Sequence, residues 1–111
     1  MIEFAVDTNA DGIAVVTPKG RLNMAAARRL KEVLDGLVGE GSTRIVVDMD
    51  ETTFLDSSGL GALIAGLKAA RQAGGDLRIA RPTPAVLSVF ELTNLDKVLR
   101  PRESVEGAFR D

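Results

Sequence analysis

From Asn23 onward the chain alternates helical apolar stripes with short β-branched runs, and no hairpin turn separates one strand from the next. Strands joined only through helices pair in parallel through right-handed crossovers, so this rhythm confines the chain to an α/β sheet. Ahead of it, Ile2 to Val6 and Ile13 to Thr17 read as strands around Asn9-Ala10-Asp11-Gly12, whose Asp-Gly ending predicts an antiparallel hairpin. Asn23 then stands where an N-cap belongs. Ala27, Leu30, Leu34, Leu37 and Val38 form the apolar stripe of a first helix that stops in Gly39-Glu40-Gly41. The run Arg44 to Met49 predicts a strand, and Leu60, Leu63, Ile64 and Leu67 a second helix ending at Gly74-Gly75. Leu77 to Ala80 predicts another strand, and Pro84 to about Leu92, behind Thr83, a third helix. Lys97 to Arg100 reads as a last strand and Glu103 to Arg110 as a closing helix. The expected fold is α/β, with four to five mostly parallel strands, an N-terminal antiparallel hairpin and about four helices, the major ones on one face.

Composition narrows the function. With 111 residues and no internal repeat or linker, residues 1–111 are expected to form one domain. Fourteen basic against sixteen acidic residues leave a net charge of −2, and only four aromatic side chains, all Phe, are available for base stacking. Nucleic acid is therefore not an expected partner. The absence of Cys and His removes thiol chemistry and the usual zinc ligands. Neither a signal-peptide pattern at Met1-Ile2-Glu3-Phe4 nor an apolar run of about 18 residues is present, so the expected location is cytoplasmic, with no direct membrane insertion.

Chemistry concentrates at Phe54-Leu55-Asp56-Ser57-Ser58-Gly59-Leu60-Gly61, where a strand region hands over to the second helix. A helix begins with about four unpartnered backbone N–H groups, and either Asp56 or Ser57 supplies the oxygen that caps them. A neighbouring hydroxyl then faces solvent beside partial positive charge, a setting that suits a phosphate. Ser57 or Ser58 as a hydrolytic nucleophile lacks a His base and a Gly-x-Ser-x-Gly elbow, and Lys68 lies three turns along the same helix. Gly59-Leu60-Gly61 imitates a dinucleotide fingerprint, but Ile64 replaces the third glycine. Small residues at 59, 61, 62, 65 and 66 are read instead as allowing the helix to approach the sheet. Asp48, Asp50, Glu51 and Asp56 are read as solvated loop charges in preference to a Mg²⁺ site, and no metal or cofactor is expected. Lys19, Arg21, Arg81, Arg100 and Arg102 fall at or just after predicted strand ends, which predicts a basic edge around Ser57.

The central motif, Gly20-Arg21-Leu22-Asn23 before the first helix, Gly74-Gly75, and Pro84-Ala85-Val86 leading to Val89-Phe90-Glu91-Leu92-Thr93 resemble the STAS family, and within it the bacterial anti-sigma-factor antagonists. The resemblance covers essentially the whole chain. It implies a non-enzymatic cytoplasmic protein that binds an anti-sigma factor with serine kinase activity, of the GHKL type, and is reset by a phosphatase. The first serine of Asp-Ser-Ser-Gly is the family's phosphoacceptor, which here is Ser57. Asp56, Ser58, Gly59, Leu60 and Asn23 are the implied partner-binding residues. Asn23 stands where the family often carries an acidic residue, and Leu55 where methionine is frequent. STAS domains also serve as accessory domains of anion permeases and lipid-transport complexes, and as ligand-sensing modules; these are the alternative expectations.

Overall fold

The computed structural model describes residues 2–109. Its elements run β1 (Glu3–Thr8), β2 (Ala14–Leu22), α1 (Met24–Gly39), β3 (Arg44–Asp48), β4 (Thr52–Leu55), α2 (Ser57–Gln72), β5 (Asp76–Ala80), α3 (Pro84–Leu92) and α4 (Asp96–Leu99). Five strands form the sheet in the order β1-β2-β3-β5, with β4 also on β2. The β1–β2 pair is antiparallel, and the pairs β2–β3, β2–β4 and β3–β5 are parallel. The fold class, the hairpin, the number of helices and the places of the first three agree with the reading of the sequence.

The hairpin turn is built by Asn9, whose side-chain oxygen accepts from the Asp11 and Ile13 N–H groups at 3.0 and 3.1 Å. Both long helices end as their glycines predict. Ser42 N–H returns to the Leu37 carbonyl at 2.9 Å, and Gly75 N–H to the Ala70 carbonyl at 2.8 Å, with Gly41 and Gly74 in left-handed backbone between. Ala26, Ala27, Leu30 and Leu34 of α1, Leu60, Leu63 and Leu67 of α2, and Val86 and Phe90 of α3 are buried in one core with Val16, Val47, Leu77 and Ile79. The other sheet face is covered by the C-terminal segment, where Ala108, Val105 and Phe109 meet Ile13, Val46 and Ala80.

Three local expectations are corrected. Thr52–Leu55, to which the sequence reading gives no strand of its own, is a strand. It lies along the same edge of β2 as β3 does, Ala14 facing Ile45 and Leu22 facing Leu55, so β3 and β4 are two pieces of one interrupted strand. Lys97 to Arg100 is not a strand. Asp96–Leu99 forms one helical turn with Leu99 buried, and Arg100 ends it in left-handed backbone. Glu103 to Phe109 is a series of turns in place of a helix, held by Gly107 N–H on Ser104 Oγ at 3.0 Å, while Arg110 of that expected helix lies outside the described residues. The segment enters by a single parallel bridge from Arg102 to Ala80.

Candidate functional site: paired helix mouths at the sheet edge

The register of β4 on β2 sets Leu22 beside Leu55, so the two strands release their chains side by side into α1 and α2. Each helix opens with the same device. Asn23 Oδ1 accepts from Ala26 N–H at 3.2 Å, and Asp56 Oδ1 accepts from Gly59 N–H at 2.9 Å. The cap of α2 is therefore Asp56, and Ser57 is left as the first helical residue.

That assignment separates the two serines. Ser57 is exposed, Ser58 is half-buried, and neither hydroxyl makes a hydrogen bond among the described residues. Gly59 and Leu60 are buried. A Cβ on Gly59 would sit 2.6 Å from the Leu22 carbonyl oxygen and 2.7 Å from Leu55 Cδ1, so glycine there is dictated by close packing. The Leu22 carbonyl also receives the Asp56 N–H at 3.4 Å, which fastens the mouth of α2 to the end of β2. Gly66 lies equally close to Leu34, whereas a Cβ on Gly61 would meet nothing within 4 Å. The stripe of small residues thus serves close approach at 59 and 66 and not at 61.

The expected basic edge is only partly realised. Arg81 does follow β5, but its guanidinium grips the buried Asp48 through two bonds, Nε to Oδ1 at 3.0 Å and Nη2 to Oδ2 at 2.6 Å. Asp50 lies 3.8 Å away on the same group. The hydrogen bonds that Arg81 donates to Asp48 first, and the Asp48 charge second, hold the Arg81 proton more tightly than usual. Lys19 lies inside β2 and stands 4.0 Å from Glu51. Arg21 is at the end of β2 with its guanidinium 4.1 Å from the Phe54 ring centre, and Arg100 and Arg102 follow a helix instead of a strand. The acidic side chains likewise divide their tasks: Asp48 faces Arg81 and Asp56 caps α2, and no group of three ligand-type side chains converges among the described residues.

Asn23 is brought to this edge with Asp56 to Leu60, and beside it the structure exposes Met24 to 68%. Met24 follows the cap directly and lies off the stripe of Ala27, Leu30 and Leu34, so helical periodicity does not single it out. An apolar residue off the stripe was the available signal.

Residues 5–108 match the STAS domain family, and the chain belongs to it. A relative from Staphylococcus aureus, the anti-sigma-B factor antagonist, is 29% identical over 99 residues, covering 89% of this chain and 92% of that protein. The crystal structure of an anti-sigma factor antagonist from Mycobacterium paratuberculosis matches with a TM-score of 0.86 at 27% identity, over 97% of this chain and 91% of that one. SpoIIAA in its unphosphorylated form shares the fold with a TM-score of 0.83 at 20% identity, over 96% and 92% of the two chains. Among the described residues no helix is long and apolar enough to cross a membrane.

Proposed function

We propose that this STAS protein is an anti-sigma factor antagonist that acts by binding, as one domain over its 111 residues, and that the mouth of α2 is its switch. In this reading Asp56, Ser58, Gly59 and Leu60, with Asn23 alongside, dock against a GHKL-type anti-sigma factor that is also a serine kinase. The sigma factor held by that kinase is then released. Phosphorylation of Ser57 ends the contact and a phosphatase restores it. The observation that carries the reading is the exposed Ser57 hydroxyl, left without a hydrogen bond among the described residues because Asp56 has taken the cap.

The energetics favour dissociation on modification. A phosphate adds about −1.5 to −2 charges at neutral pH, next to the Asp56 carboxylate. Attraction to the helix dipole returns only about 0.3–1 kcal/mol at an exposed site. Burying a dianion beside a carboxylate at an interface costs more than that. The fold is compatible with such chemistry, since the Bacillus protein SpoIIAA, which shares it, is known in a phosphorylated form as well.

The test begins with copurification. Recovery of a GHKL-type kinase supports the reading, whereas recovery of a permease or transport ATPase points to the accessory-domain alternative. Wild type, Ser57→Ala and Ser58→Ala are then incubated with that kinase and ATP and mapped by peptide mass spectrometry. Phosphate is expected on wild type and Ser58→Ala at residue 57 and on no site of Ser57→Ala. Ser57→Ala should remain a binder that cannot be switched off. Phosphate persisting on Ser57→Ala removes the assignment.

A further inference from the structure

A groove of about 540 Å³ opens where the loop after β5 meets the C-terminal segment. Pro82, Pro84, Leu87 and Pro101 give it apolar walls, and Arg81 and Arg102 line it. The two arginines are in opposite states. Arg81 is spent on Asp48 through two hydrogen bonds. Arg102 has its main chain fully engaged, N–H on the Ile79 carbonyl at 2.9 Å and carbonyl under the Arg81 N–H at 2.8 Å. Its side-chain Nε is nevertheless buried with no hydrogen-bond partner among the described residues. A buried charged donor left unpaired is costly, and such groups are rare unless something else satisfies them. Backbone strain surrounds the same side chain. Arg81 and Arg100 both adopt left-handed backbone, at φ 50° and 49°, a conformation disfavoured by any Cβ. Arg81 donates its N–H to the Arg102 carbonyl and Arg100 lies two residues before Arg102, so strained backbone flanks the side chain whose Nε has no partner.

We infer that this groove binds a small organic monocarboxylate carrying a compact apolar body. The volume lies within the roughly 300–1,000 Å³ range of small-molecule sites. Arg102 lines the groove, a guanidinium offers the paired N–H donors that fit a carboxylate, and the prolines with Leu87 cover the apolar part. Asp50 and Glu103 also line the groove, and their charges disfavour multiply charged anions such as phosphate. The site shares no residue with the α2 mouth and does not depend on the switch proposed there.

The experiment is an NMR titration of the isotope-labelled full chain with benzoate, phenylacetate and hexanoate, against benzamide and inorganic phosphate. At least one carboxylate is expected to give saturable shifts centred on residues 81–87 and 101–103 and to move the Arg102 Nε–H resonance. Benzamide and phosphate should give none. Arg102→Gln preserves the main-chain bridge and should weaken binding about tenfold or more, while Ser57→Ala should leave it unchanged. The inference is overturned if none of the three carboxylates saturates, if benzamide or phosphate binds equally, or if Arg102→Gln retains full affinity. If that variant does not fold, an Arg102 Nε–H resonance unmoved at carboxylate saturation overturns it in the wild type.

Discussion

The mouths of α1 and α2 are built alike and furnished differently. Both follow strands that end side by side, and both are capped by a side-chain oxygen three residues ahead of the N–H it receives. In α1 the cap is the neutral Asn23, followed by the exposed Met24 and Ala25 and by Ala26 at the third position. In α2 the cap is the charged Asp56, followed by Ser57 and Ser58 and by Gly59 at the third position. The scaffold therefore requires only an oxygen acceptor at the cap. What distinguishes the second mouth is a carboxylate and an unengaged hydroxyl that the scaffold does not need, set on a backbone pressed against Leu22 that it does.

The sharpest way to break this comparison is at the third position. Gly59→Val should cost about 3 kcal/mol, because added carbon has only the Leu22 carbonyl and Leu55 to displace. Urea unfolding measures it, and a loss under about 1 kcal/mol would show that the two mouths are equally tolerant. The caps come next. Asp56→Ala should cost about 1–2 kcal/mol and Asn23→Ala about 0.5–1 kcal/mol, since only the former also loses a charge at the positive helix end. The gap between them should narrow in 1 M salt, where charges are screened within about 3 Å. Equal losses at low salt would leave the charge without a structural share. Smallest is Gly61→Ala, which should raise stability by about 0.5–1 kcal/mol, as an alanine there fills open space in a helix. A fall in melting temperature would reveal a contact at residue 61.

Much of this was readable from the residues, and the misses share one cause. Asn23, Thr83 and the glycine stops announced three helices because each acts within four residues of chain, and the α/β order followed from the rhythm of runs. β4 was hidden because four residues, Thr52 to Leu55, carry no periodicity of their own; their strand character comes from β2, 32 to 33 residues away, continuing past β3. Lys97 to Arg100 misled for the complementary reason. Val98 and Leu99 look like a strand fragment, but the turn is set by Leu99 N–H on the Leu95 carbonyl at 2.8 Å and by left-handed Asn94 and Arg100. At the site, the choice between Asp56 and Ser57 as cap depended on one hydrogen bond, and the fate of the arginines on partners, Asp48 among them, distant in sequence. Ion pairing across loops leaves no local pattern to read.

The Leu22 carbonyl is where the two helix mouths are tied together. By receiving Asp56 N–H and standing against Gly59, it joins the start of α2 to the end of a central strand, so this surface is the tip of a framework and not a loop. A partner that docks here meets a shape already made, and little ordering entropy opposes association. The same stiffness bears on any group attached at Ser57. With the backbone fastened on both sides of that residue, an added group has no local refolding to drive, and the partner must read its bulk and charge directly.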